Sequence, residues 1–246
     1  MINLNKISTL PPGHLDKDDV EEKTNVIVKK IGEISRVFEA DGSHALLIIL
    51  QGMDGSGKDG TARIVFQDVS PSVVCSYAFK KPTPEEMSYD FLWRVHQVVP
   101  GKGKIRIFNR SHYEDVLIQR VHKWIDEDKV KKRIEAINNF ETLLGFDNNT
   151  TVLKFYLHLT REKQLEKLAE RMSDHEKAWK HNPDDLKESE KWEDYMKAYE
   201  DVLNQSTIPW YIVPADKQWY RNFFVASKVL ETLQNMHLKY PELKSE

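Results

Sequence analysis

The chain carries a single cysteine, Cys75, in 246 residues. One thiol can build neither a disulfide framework nor a cysteine metal cluster within one chain. Set in the apolar stretch "SVVCSYAF", it is expected to be a buried, inert side chain. No run approaches the roughly 18 consecutive apolar residues of a membrane-spanning helix. The first residues, "MINLNKISTLPPGHLDKDD", lack the apolar stretch of about 7–15 residues that a secretory signal needs. A soluble, reducing, cytoplasmic setting without a membrane partner is therefore expected. An excess of one charge sign is also missing: charged residues make up 30%, yet the formal net charge is only −3. Nothing global would recruit nucleic acid. Internal repeats and low-complexity linkers are absent too. With 40% hydrophobic residues, residues 1–246 suffice for one domain with a full core, or one that carries an insertion.

Charge is distributed unevenly along the chain. From Arg94 to Arg133 there are eleven Lys/Arg against five Asp/Glu, whereas Glu162 to Asp201 holds eight against thirteen. Such runs are usually solvated helix faces. The basic one matters because it brackets an apolar strand that ends in polar, chemically capable residues.

Hydrophobic spacing sets out the elements. "DVEEKTNVIVKKIGEISRVFEADG" places Val20, Thr24, Ile27, Ile31, Ile34 and Phe38 on one helical face and ends at Gly42. "HALLIILQG" is a continuous apolar run of strand length, followed by a glycine-rich loop and the helix "KDGTARIVFQDV". Next come strand "SVVCSYAF" and a helix from "TPEEMSYDFLWRVHQVV", opened by a capping box at Thr83, Pro84 and Glu86. Strand "KIRIFN" precedes helices over about 111–122 and 126–146, strand "TTVLKFYLHL" a long helical stretch, and strand "IPWYIVPA" a closing helix over about 217–238. Five strands alternating with helices, without hairpin dipeptides, predict an α/β fold with a five-stranded parallel sheet and right-handed crossovers. The polar helical region 161–206, broken at Pro183, is too large for a simple crossover. It is either a lid that closes on substrate or a pair of surface helices.

"GMDGSGKDGT", residues 52–61, nearly matches the phosphate-cradling signature G-x-x-x-x-G-K-[ST]. Gly52, Gly57 and Lys58 fit, but Asp59 stands where the magnesium-binding hydroxyl belongs, with Thr61 nearby. The loop follows an apolar strand and opens a helix, the setting in which backbone N–H groups receive phosphate. Two carboxylates beside an anion site call for a cation, and Mg²⁺ is the hard cation that shares oxygen ligands with phosphates. Asp54, at the loop tip, is the better ligand; Asp59 could instead favour the helix start through the macrodipole.

The strand "IRIFNRSHYED" ends with Asn109 where a metal-holding carboxylate is usual, followed by Arg110, and Glu114 could supply the missing charge. Ser111 and His112 do not make a nucleophile pair, since sequence neighbours point apart and no third member is evident. Lys80, Lys81 and Arg120 add cations near the same sheet edge, more than one nucleotide triphosphate requires.

"GMDGSGKDGT", "FKKPTPEEMSYDFLWRVHQVVPGKGKIRIFNRSHYEDVLIQRVH", "EKAWK", "KWEDYMKAYEDVL" and "PWYIVPADKQWYRN" together resemble the polyphosphate kinase 2 family over roughly residues 20–238. The resemblance implies a P-loop kinase-like three-layer sandwich with a helical lid at about 161–206. It also implies Mg²⁺-dependent phosphoryl transfer between inorganic polyphosphate and adenine or guanine nucleotides, and a homo-oligomer. Aspartates in the loop are usual there. Carried over, Asp54 holds metal and orients the accepting phosphate, with Glu114 as second metal ligand. Lys58 contacts phosphates, Arg110 and Arg171 gather charge from the transferring group, and Lys80 and Lys81 line the polymer's path. Gly55, Gly57, Asp59, Gly60, Thr61, Asn109 and Arg120 complete the expected binding set. The "FNRSHYE" form resembles the branch that phosphorylates nucleoside mono- and diphosphates, so AMP as well as ADP is expected as acceptor. Two departures are His175, where proline is more usual, and "NQSTIPW", which looks shorter than typical. The alternatives are an ATP-dependent nucleoside monophosphate kinase and a non-catalytic polyphosphate-binding module; the presence of Asp54 and Lys58 counts against the second.

Overall fold

Five apolar runs fold into the five strands of one sheet. The computed structural model describes residues 1–173 and 184–242. β1 (Ala45–Gln51), β2 (Val74–Ala78), β3 (Ile105–Asn109), β4 (Thr150–His158) and β5 (Trp210–Pro214) lie in the order β2-β3-β1-β4-β5, with every pairing parallel. β1 is central and buried along its whole length, as a strand covered on both faces must be.

Among the described residues the α-helices are α1 (Lys17–Asp41), α2 (Lys58–Val65), α3 (Pro84–Met87), α4 (Trp93–His96), α5 (Glu114–Val121), α6 (Glu127–Asn148), α7 (Arg161–Ser173), α8 (Asp184–Glu190), α9 (Trp192–Gln205) and α10 (Gln218–Asn235). From β1 to β2 the chain crosses the sheet in one direction, and from β3 to β4 in the other. Right-handed crossovers therefore place α2 on one face and α5 with α6 on the opposite one. α1 and α10 pack with α2, and α9 packs on α5, which makes three layers. α1 begins where the Asp16 carboxylate accepts the Asp18 and Asp19 N–H groups, and it ends at left-handed Gly42. Its buried face carries Val20, Thr24, Ile31 and Phe38 as the spacing predicts, but Val28 takes the place expected of Ile27, and Ile27 and Ile34 are half-buried at the margin of the face.

Three local expectations are corrected. Cys75 is exposed, because β2 is an edge strand that pairs only with β3 and leaves residues 75, 76 and 78 open; an apolar run does not reveal whether its strand is central or peripheral. The helix after β2 is two short helices: the capping box at Thr83 and Glu86 forms, but α3 stops at Met87 and a turn precedes α4. Between them the Asp90 carboxylate accepts the Leu92 N–H, satisfying the backbone without a helix. α2 stops at Val65 rather than running on to Val69. Among the described residues no helix is long and apolar enough to cross a membrane. Pro183, His175 and "EKAWK" lie outside the described residues. The short "NQSTIPW" connection is tied down locally: the Trp210 indole donates to Ser206 Oγ at 2.8 Å and the Thr207 N–H to Asn138 Oδ1 at 3.0 Å.

Candidate active site

The central strand delivers the glycine loop to the C-terminal edge of the sheet. The chain leaves β1 at Gly52 (φ 146°), where a Cβ would sit 2.7 Å from the Leu157 carbonyl oxygen, so only glycine lets the loop pass β4 this closely. Left-handed Gly57 is the N-cap of α2 and has no side chain to cap it, so the first N–H groups of the helix stay available to an anion. Lys58 is buried, and its ammonium donates to the Gly52 and Met53 carbonyls at 2.7 and 3.2 Å. Burial lowers its pKa to about 8, against the pull of Asp54.

Asp54 and Arg110 meet across the loop mouth, with Nη2 2.5 Å from Oδ1. Arg110 follows β3 in a left-handed conformation (φ 60°), which turns the chain sharply from strand toward α5. That geometry costs on the order of 1–2 kcal/mol for a side-chain-bearing residue. Burial drives the Asp54 carboxyl upward, but Arg110 and Lys58 outweigh it, so Asp54 is held below the usual carboxylate range. Glu114, the first residue of α5, faces the same cations, yet burial and the Asp54 charge win and raise its pKa. Two carboxylates thus share one cleft with different proton affinities. The cleft, about 170 Å³, is lined by Gly52, Met53, Asp54, Arg110 and Glu114 together with residues of α5, α7, α8 and α9.

The helical excursion closes one side of this cleft. α7 leans on the loop tip, where a Cβ on Gly55 would lie 3.1 Å from Lys167 Cβ, and Gln164 lines the cleft. Arg171 Nη1 holds Asp185 Oδ2 at 2.8 Å, and its charge also reaches Asp54. Tyr195 and Tyr199 of α9 form the far wall; burial pushes both hydroxyls up, so they remain protonated donors.

Asp54, Lys58, Arg110, Glu114 and, through Asp185, Arg171 come together as expected. Gly60 lies in α2 beneath the loop. Other expected residues do not line the cleft. Thr61 Oγ1 accepts from Arg221 and donates to the Gly57 carbonyl, so its hydroxyl braces the loop from below. Asn109 donates its amide to Asp59, engaging both away from the lining. Arg120 is held by Glu127 of α6 and Asp201 of α9, at 2.7 and 2.6 Å; acids from two helices neutralise a cation which, in the sequence, looked available. Lys80 and Lys81 are exposed beyond the end of β2. Ser111 and His112 are fully buried, with Ser111 bonded to Gln51 and His112 to Glu141. The sequence reading missed Arg221, Asp185, Gln164 and the two tyrosines. They sit on α7–α10, and only the packing of those helices brings them here.

The site is a strand–glycine loop–helix junction of an α/β fold, the kind of junction that can receive phosphate, and its mouth is crossed by a carboxylate–guanidinium pair. The model of the family described as polyphosphate kinase 2 matches residues 14–241, and the chain belongs to that family. It is accordingly a phosphotransferase. The chain is 42% identical over 224 residues, 90% of this chain and 84% of the relative, to an AMP/ADP-polyphosphate phosphotransferase of Meiothermus ruber. It is 35% identical over 257 residues, 98% of this chain and 89% of the relative, to an ADP-polyphosphate phosphotransferase of Rhodopseudomonas palustris. The solved polyphosphate kinase 2 of Arthrobacter aurescens superposes with a TM-score of 0.95 at 36% identity, covering 100% of this chain and 89% of that one.

Among the described residues no group of three or more His, Cys, Asp or Glu side chains is placed to hold a metal ion. The donors present still suit Mg²⁺, which takes one or two carboxylates and completes its octahedron with water and substrate phosphates. Asp54 and Glu114 are such a pair, both oxygen donors on one cleft.

Proposed function

We propose that this protein transfers phosphoryl groups reversibly between inorganic polyphosphate and adenine nucleotides, converting ADP and AMP to ATP with Mg²⁺ as the metal. The observation that carries this reading is the convergence of Arg110, Asp54 and Glu114 on one cleft at the mouth of a glycine loop, with the buried Lys58 ammonium close enough to feel all three charges. The loop N–H groups and Lys58 receive the phosphates. Arg110, released from Asp54 when a phosphate arrives, and Arg171 stabilise the charge spread over the transferring group. Asp54 and Glu114 would hold the Mg²⁺, which neutralises charge between donor and acceptor phosphates. Because the transition state is loose and in line, the protein is asked mainly for alignment and counter-charge, and the accepting phosphate needs no strong base. Exposed Lys80 and Lys81 extend the positive surface along which a polymer runs on from the cleft, and α7, α8 and α9, the described part of the region 161–206, act as the lid over it.

The test is turnover with Mg²⁺, long-chain polyphosphate and ADP, AMP or their guanine counterparts, repeated with ATP as the only donor. ATP formation from ADP that requires polyphosphate supports the reading. Phosphorylation of AMP by ATP without polyphosphate would overturn it. A homo-oligomer is part of the same proposal, and light scattering of the purified chain reads it.

A further inference from the structure

Arg221 lies on α10, under the glycine loop and outside the cleft. Its Nη1 donates to the Ser56 carbonyl at 3.0 Å, its Nε to Thr61 Oγ1 at 2.7 Å, and its Nη2 reaches Asn222 Oδ1 at 3.5 Å. The guanidinium therefore bridges the last turn of the loop and the first turn of α2, spanning the junction where an anion is received. Gly57 makes room for it: a Cβ there would sit 2.2 Å from Nη1, at a backbone φ of 89°. Arg221 is 6% exposed. Among the described residues no carboxylate lies within ion-pair distance of it, and burial alone acts on its pKa, lowering it to about 10. A buried cation without a counter-charge is costly, and fixed-fork donors such as guanidinium hold geometry better than an ammonium does. Among the described residues no acid offsets that charge, and the loop that would receive an anion lies above it.

We infer that Arg221 is a positioning residue for phosphoryl transfer, clamping the Ser56–Thr61 turn in its phosphate-receiving shape and giving the bound phosphates a counter-charge that does not touch them. The inference rests on the polyphosphate reading only for the identity of the anion.

The test compares R221Q and R221K in the full chain, using thermal stabilisation by tripolyphosphate for affinity and its dependence on salt, together with kcat and KM for polyphosphate. R221Q, which loses the charge, is expected to weaken tripolyphosphate binding roughly ten- to hundredfold and to flatten its salt dependence. R221K, which keeps the charge and loses the fork, is expected to retain the affinity and salt dependence and to lower kcat. Wild-type affinity and salt dependence in a folded R221Q, or equal affinity losses in the two variants, would overturn the inference. If R221Q does not fold, Thr61→Val removes the acceptor of Nε while leaving the charge; a lowered kcat with unchanged affinity supports the clamp, and an unchanged kcat overturns it. Tripolyphosphate binding reads this even when no turnover is seen, which separates it from a failure of the proposed activity.

Discussion

Two clusters of charge sit on either side of the β3–α5 turn, and they are balanced in opposite ways. In the core, Lys154, His112 and Tyr113 all converge on Glu141. Lys154 Nζ lies 2.6 Å from Glu141 Oε2, the Tyr113 hydroxyl donates to Oε1 at 2.9 Å, and His112 Nε2 is 3.3 Å from the same oxygen. The rings of Tyr113 and Trp210 flank the ammonium at 5.2 and 5.1 Å. Burial would push the Glu141 carboxyl up, but His112 and Lys154 outweigh it and hold it below its usual range. That cluster is complete in itself. At the cleft, Lys58 spends its donors on the loop's own carbonyls and Arg110 leans on Asp54, while beneath the loop Arg221 is buried with no acid within ion-pair distance among the described residues. Under the proposed function that cluster is completed by a polyanion. Complementary charge inside the protein serves stability, whereas charge left to be matched serves binding.

The contrast can be broken at its strongest point first. Glu141→Gln strands the buried Lys154 charge and is expected to cost about 3–5 kcal/mol of stability, read by chemical denaturation; a variant as stable as wild type would show that the core cluster is not held electrostatically. Asp54→Asn should do the reverse, lowering ATP formation roughly 100- to 1,000-fold, about 3–4 kcal/mol of transition-state stabilisation, with little change in the denaturation midpoint. Activity within a few-fold of wild type would remove Asp54 from its assigned role.

A smaller, graded effect concerns pH. The folded pKa of Lys58, about 8, lies below its ordinary value of 10.5. Between those values the unfolded chain holds more protons than the folded one, so this group's contribution to stability rises with pH across that window. Phosphate binding needs the charged amine and weakens over the same window. kcat/KM for polyphosphate should therefore fall about tenfold per pH unit once pH exceeds about 8, and a flat profile to pH 10 would contradict this. The smallest effect belongs to Arg120, tied to Glu127 and Asp201 away from the cleft. Arg120→Ala should change stability by less than about 1 kcal/mol and leave KM for polyphosphate unchanged; a raised KM would return it to the polymer's path.

Apolar runs of strand length, the capping box at Thr83 and the strand–glycine loop–helix junction were legible as local patterns, and all of them form. The edge position of β2, which exposes Cys75, was not, since neighbours in a sheet are chosen by topology and not by the strand's own residues. Likewise the break between α3 and α4 depends on a side chain, that of Asp90, satisfying the backbone in place of a helical carbonyl.

The sequence alone was enough for the parallel α/β sheet and for the strand–glycine loop–helix junction that carries Asp54 and Lys58, because each is encoded by contiguous runs with a period or spacing that physics constrains. Tertiary structure decided which cations are neutralised by neighbouring acids. Arg120 and Arg221 are both arginines on amphipathic helices, yet one is neutralised by acids brought to it and the other is buried beneath Gly57 with no acid partner among the described residues. The difference lies in what residues distant along the chain place around each guanidinium, and a charge's worth depends on that surrounding rather than on its own identity.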